Sequence, residues 1–211
     1  MYNRFKKYIQ RWIRTRTQNV SAKSLTEFWQ KDSMKNIVPP GTTEPEGWDV
    51  KKFLSELEVF REAESVVEIG CGFGRLSAAF SPDKYLGIDI NPEAVSTAKN
   101  KNMHHQYKVI NYDDSYPKAE VGFAYTVLLH VSDELIDNVT SRIAKSYDKF
   151  IVAEILGRKW RSPGQRVPVF NRDQDEYIKV FSKHGMTLGQ VIEKEYVHYP
   201  NTNISFLIFS K

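Results

Sequence analysis

Chemistry concentrates in one stretch of the sequence, Glu68-Ile69-Gly70-Cys71-Gly72-Phe73-Gly74-Arg75-Leu76. A short apolar run, Val66-Val67-Glu68-Ile69, leads into three glycines at alternate positions. Glycines there let the backbone turn sharply and approach a ligand with no Cβ in the way. Asp89 follows Gly70 by nineteen residues, at the end of the next apolar run. A carboxylate so placed can accept both hydroxyls of a ribose. The dinucleotide fingerprint G-x-G-x-x-G puts its third glycine five residues after the first. Arg75 occupies that position here, and Gly74 makes the spacing G-x-G-x-G. Glu68, two residues before the first glycine, suits a ligand with a cationic amino-acid end better than a pyrophosphate.

These residues need strands that end in turns, and the chain from Ser65 onward has that texture. Strands are expected over 66–69, 85–89, 107–110, 121–127 and 150–154. Helices are expected near 75–80, 92–99, 133–146 and 173–184, with Pro92 in a favoured first-turn position. Segments 187–196 and 203–209 read as a closing antiparallel hairpin. Upstream lie a helix near 24–32, a Pro/Gly-rich loop over 38–47 and a helix from Val50 to about Ala63 that Asp49 can cap. The expected fold class is α/β: a three-layer, doubly wound, mostly parallel seven-stranded sheet with a final antiparallel hairpin and N-terminal cap helices. Residues 1–64 are read as a helical cap segment of the same domain as residues 65–211.

VVEIGCGFGRL and YLGIDINPEAV resemble the first and second motifs of the class I S-adenosylmethionine-dependent methyltransferases, and the likeness extends over residues 65–210. The resemblance implies a Rossmann-like domain, S-adenosyl-L-methionine as cofactor and S-adenosyl-L-homocysteine as product. It implies that Gly70, Cys71, Gly72 and Gly74 line the methionine and ribose portion, with Glu68 beneath the turn. Asp89 would take the ribose hydroxyls, Ile90 would lie against the adenine, and Leu128 would border the cofactor. Asp113 or Asp114 would meet the adenine amino group, although the loop holding them is shorter than is usual in the family. Cys71 reads as a spacer, a small buried hydrophobe rather than a nucleophile.

The segment after the fourth strand, Val127-Leu128-Leu129-His130, resembles that of the family's small-molecule enzymes. The Asn/Asp-Pro-Pro-aromatic signature of base-directed amino methyltransferases is not there. A histidine has a free pKa near neutrality, so His130 is either a general base or a packing residue that orients its loop. The base reading tilts the acceptor toward a hydroxyl. Residues 157–172 contain Arg158, Lys159, Arg161, Arg166 and Arg172 without an acid. Beyond a strand's carboxyl end they would border an acceptor pocket and favour an anionic, small-molecule or glycan-like acceptor; the plainer reading is a solvated basic loop. Trp160 could stack on a sugar, and Trp29 and Trp48 could wall the site. No histidine set matches a metal-ligand spacing, and no metal is expected. Alternatives are an N-methyltransferase of an amine or amino acid, an RNA methyltransferase, and a cofactor-binding module without turnover.

With 41% hydrophobic and 27% charged residues, the 211-residue chain is neither disordered nor a membrane protein. It has no run of about 18 apolar residues and no signal-peptide core, and its one cysteine excludes an internal disulfide. A cytoplasmic location is expected. Residues 1–23 carry seven basic residues and no acid, leaving 23 basic against 26 acidic residues, or −3, in the rest. Residues 1–16 form a basic, aromatic amphipathic pattern that fits either a packed cap helix or peripheral membrane contact. No aromatic-and-basic recognition module accompanies it, which argues against nucleic acid as partner.

Overall fold

The computed structural model describes residues 22–31, 48–111, 113–157, 168–195 and 202–211. The amphipathic segment 1–16, the whole of the Pro/Gly-rich loop over 38–47, and Arg158, Trp160, Arg161 and Arg166 lie outside the described residues.

Seven strands form one sheet: β1 (Val66–Ile69), β2 (Tyr85–Asp89), β3 (Gln106–Val109), β4 (Ala119–Tyr125), β5 (Tyr147–Glu154), β6 (Thr187–Glu195) and β7 (Asn203–Ser210). Their order is β3-β2-β1-β4-β5-β7-β6. β1 to β5 pair in parallel, and β7 runs against both β5 and β6, so six strands share one direction. The strand order reverses between β1 and β4, where open α/β sheets bind ligands beyond their carboxyl edge.

The described helices are α1 (Ala22–Gln30), α2 (Val50–Glu56), α3 (Glu58–Arg61), α4 (Pro92–Lys101), α5 (Ile136–Ser146) and α6 (Gln174–Ser182). Side chains alternate across each strand, and both faces of the central strands are apolar. Val66, Phe123, Ile151 and Phe206 pack with Val50, Leu54 and Phe60 of α2 and α3 and with Val95 and Ala98 of α4. Val67, Ile88, Phe150 and Phe209 pack with Ile136 and Ile143 of α5 and Tyr177 and Phe181 of α6. The three-layer expectation holds.

Two helices differ from expectation. The helix expected over 75–80 is only a 3-10 turn, Ser77–Ala79. The Ser77 hydroxyl donates to the Gly74 carbonyl at 2.9 Å, a side-chain bond that competes with helical bonding, and the backbone bonds Ala79 N–H to Leu76 O and Phe80 N–H to Ser77 O are of the tighter i to i+3 kind. The helix expected over 50–63 breaks at Leu57, whose ψ of 125° is extended. Leu54 and Phe60 would sit about 120° apart around an unbroken helix. The break lets both bury against the sheet, each only 1% exposed. Phe60 lies edge-on to Phe80 and Phe123, at 5.1 Å from each. α2 and α3 thereby thicken the layer that the shortened first crossover leaves thin.

Candidate active site

β1 ends in a turn whose glycines all have positive φ: Gly70 at 73°, Gly72 at 52° and Gly74 at 74°. The N–H groups of Gly70 and Cys71 both donate to the Ile88 carbonyl, at 2.8 and 3.1 Å, tying the turn to β2. Asp89 adds a second tie. Its Oδ2 accepts from Gly72 N–H and its Oδ1 from Asn91 N–H, both at 2.8 Å. Each carboxylate oxygen has a second lone pair, so the same group can still accept from a ligand. Burial pushes the Asp89 pKa up, opposed by the backbone N–H bonds. Beneath the turn, Glu68 is buried and accepts the Tyr85 hydroxyl. Burial raises its pKa to about 7, against the pull of that bond and of Arg75. Cys71 is buried, and burial drives its thiol pKa well up, as suits a packing residue. The Arg75 guanidinium lies 5.2 Å from the ring centroid of Tyr125, the last residue of β4.

Asn91 links this turn to α1. Its Oδ1 caps α4 by accepting from Ala94 N–H at 2.9 Å. Its Nδ2 donates to the Trp29 carbonyl at 2.7 Å, in the last turn of α1 where carbonyls lack helical partners. Trp29 packs against Phe73 of the glycine turn and Ala94, and its ring centroid is 4.6 Å from that of His130. α1 therefore spans from the glycine turn to the turn after β4. Ile90 is half-buried between Asp89 and Asn91. Asp113 and Asp114 are exposed after β3, and Asp114 accepts from Asn111 N–H at 2.7 Å within its own turn. Trp48 lies elsewhere along the sheet edge. It donates to the Glu195 carbonyl at 2.9 Å and packs edge-on to Phe53.

After β4 the chain passes through Thr126 at φ 54°, left-handed backbone that a β-branched residue rarely adopts. A 3-10 turn, Leu128–His130, follows. Leu128 is fully buried, its side chain in the core under α5 and α6. His130 Nδ1 lies 2.7 Å from the Pro168 carbonyl. A carbonyl only accepts, so Nδ1 carries the proton, and Nε2 is the basic nitrogen of the neutral ring. Phe170 N–H donates to Leu129 O at 2.7 Å. Arg172, counted above with the acceptor-facing cations, is instead buried. It donates to the carbonyls of Leu128 and Val131 at 3.1 and 2.8 Å and to Asp133 at 2.7 Å. Glu154, at the end of β5, accepts from Leu129 N–H at 3.1 Å. Burial raises its pKa to about 8.

Sequence reasoning passed over Asn91, Thr126 and Glu154. Glu154 ends an apolar strand as Asp89 does, and that pattern was the available signal. Nothing local marks Thr126. Among the described residues no group of three or more His, Cys, Asp or Glu side chains is placed to hold a metal ion.

No family model matches the chain. It is 27% identical over 141 residues to the ribosomal protein L11 methyltransferase of Desulfotalea psychrophila, covering 64% of this chain and 43% of that protein. The chain thus spans less than half of that curated relative. Magnesium protoporphyrin IX methyltransferase from Synechocystis PCC 6803, solved with S-adenosylmethionine bound, superposes with a TM-score of 0.68. The match covers 90% of this chain and 96% of that one at 14% identity. A cyclase of the 4+2 type, SpnF, superposes at 0.59 over 77% of this chain and 80% of its own at 12% identity, so the fold alone does not dictate the reaction. Strand order, the reversed β7 and these superpositions agree: the chain has the Rossmann-like fold of the class I S-adenosylmethionine-dependent methyltransferases.

Proposed function

We propose that the protein is an S-adenosylmethionine-dependent methyltransferase, transferring to a hydroxyl of a small-molecule or glycan-like anionic acceptor. The observation that carries this reading is the glycine turn pinned by Asp89 at the switch point of the sheet. Gly70, Gly72 and Gly74 offer a backbone surface without Cβ atoms, and Asp89 and Ile90 flank it. The turn opens onto a three-residue 3-10 element, not onto a long helix whose N-terminus would favour a pyrophosphate. A nucleoside with an amino-acid end fits such a turn better than a dinucleotide. When bound, the cofactor supplies a methyl on a positively charged sulfur; oxygen–carbon bonding breaks the carbon–sulfur bond, and that electron pair stays on sulfur.

The chain's task is then alignment, exclusion of water and removal of the hydroxyl proton. His130 Nε2 takes that proton, and Trp29 covers the ring beside it. Arg158, Trp160, Arg161 and Arg166 contact the acceptor; the ends of their loop, Gly157 and Pro168, both adjoin the His130 turn. Residues 1–64 form one domain with the sheet, supported by the burial of α2 and α3 upon it. The segment 1–16 adds peripheral contact with anionic membranes, read out by co-sedimentation with phosphatidylserine vesicles.

Calorimetry with S-adenosylhomocysteine and with NAD tests the cofactor. Binding of the former alone is expected, weakened by about 1.5–3 kcal/mol in Asp89→Ala, the worth of hydrogen bonds to a charged group. Preference for NAD, or unchanged affinity in a folded Asp89→Ala protein, would sink the assignment. A second reading, a polypeptide acceptor, rests on the likeness to the ribosomal protein methyltransferase. Mass spectrometry that finds the methyl on a polypeptide or on a small molecule separates the two.

A further inference from the structure

The structure assigns Glu154 and Arg172 as positioning residues: from inside the fold they hold the turn that carries His130, so that Nδ1–H meets the Pro168 carbonyl and Nε2 is presented as proton acceptor. The inference deepens the proposed function and rests on its reading of His130 as the base.

Backbone accounting supports it. A buried N–H or carbonyl needs a partner; the turn's own bonds, His130 N–H to Val127 O and Val131 N–H to Leu128 O, leave Leu129 N–H and the carbonyls of Leu129 and Val131 to find theirs elsewhere. Leu129 N–H finds the Glu154 carboxyl, and Leu129 O finds Phe170 N–H. The carbonyls of Leu128 and Val131 find the two terminal nitrogens of Arg172. The rigid fork of a guanidinium suits that pairing, which the single nitrogen of a lysine cannot reproduce. Because Phe170 is bonded to Leu129, the carbonyl two residues earlier, Pro168, comes to the His130 ring. Moving Arg172 would therefore move the group that sets the ring's tautomer.

Two further observations argue for a positioning role beyond packing. Glu154 is fully buried and Arg172 only 4% exposed, and apolar side chains of equal volume stabilise a core as well as buried polar and charged groups or better. A cost of that kind is accounted for when the groups fix a geometry. In addition, Gly157 N–H donates to the Arg172 carbonyl at 3.0 Å. The segment that follows β5 is thus tied to Arg172, which in turn holds the His130 turn. A backbone carbonyl orients the imidazole as a carboxylate would, without placing a negative charge beside it.

The tautomer can be read without turnover, from ¹⁵N–¹H correlation spectra of the histidine rings in the full, ligand-free chain. Wild type should show His130 protonated at Nδ1. Glu154→Gln, whose amide oxygen still accepts Leu129 N–H, should keep that signature and keep kcat within about threefold. Glu154→Leu should lose the single tautomer and at least about tenfold in kcat, with cofactor affinity unchanged. If Glu154→Leu does not fold, Arg172→Lys takes its place under the same criteria. A folded Glu154→Leu or Arg172→Lys protein with the Nδ1 tautomer and kcat intact would overturn the assignment. So would a Glu154→Gln protein as impaired as Glu154→Leu. If the tautomer shifts as expected but wild type transfers no methyl group to any hydroxyl, the positioning role stands and the function reading fails.

Discussion

At Gly70 two independent constraints meet. Its φ of 73° is costly for any residue with a Cβ, and that Cβ would sit 2.5 Å from Cγ2 of Val127. Strain of about 1–2 kcal/mol from the backbone and about 1–3 kcal/mol from overpacking should combine in Gly70→Ala. Thermal unfolding should register a drop of several degrees. Cofactor binding should weaken as well, because Val127 begins the turn that carries His130 and lies against the glycine turn. An alanine variant with wild-type melting would mean that Val127 yields freely and the two turns are uncoupled. Asp89 likewise does two things at once, accepting from Gly72 N–H and from Asn91 N–H. Residues of this kind were legible in the sequence because their constraints are local: glycine at positive φ, and an acid at a strand end.

The elements divide along the same line. The strands fall within two or three residues of their expected positions, since strands buried on both faces read as short continuous apolar runs. The helix expected over 75–80 is only a 3-10 turn, where the Ser77 hydroxyl occupies the Gly74 carbonyl that a helix would need. The break at Leu57 was equally invisible, since it follows from where the sheet lies relative to Leu54 and Phe60. The Glu154–Arg172 pair joins a strand end to a loop residue eighteen positions on, through backbone groups that carry no sequence signal. Phe60 tests the role of α3 as part of the main core. Truncation to alanine should cost about 3–5 kcal/mol in urea unfolding, the range for a buried phenylalanine. A cost under about 1 kcal/mol would instead mark α2 and α3 as a loosely attached cap.

On the scale of the whole molecule, buried carboxyls with raised pKa values, Glu68 and Glu154 together with Asp89, shape the response to pH. Glu68 and Glu154 titrate at about 7 and about 8 in the folded protein, raised from an ordinary value of 4.5 by burial. The folded chain thus holds protons that the unfolded chain has released. Stability is fullest below the unfolded value and declines as pH rises from about 4.5 until each folded pKa is passed, at up to about 1.4 kcal/mol per unit for each group. Glu68→Gln should flatten that decline between pH 5 and pH 7, with the Tyr85 hydroxyl still accepted by the amide oxygen. Urea midpoints at pH 5, 6, 7 and 8 measure it, and equal slopes in both proteins would refute the burial argument for Glu68. Along the sequence, the seven basic residues of the first 23 stand against a net −3 in the rest, an asymmetry that the net +4 conceals.

β7 lies between β5 and β6, although it follows both in the chain, and Phe206, Leu207 and Phe209 at its centre are fully buried. Synthesis runs from the N-terminus, so β6 leaves the ribosome before the strand that must separate it from β5. Until β7 emerges, the outer edge of β5 and the whole of β6 lack their hydrogen-bonding partner. The nascent chain therefore waits with an open apolar sheet edge, the kind of surface that pairs wrongly with other chains and that chaperones bind. Placing β7 between two strands that precede it makes folding of this half of the sheet conditional on translation of residues 203–210.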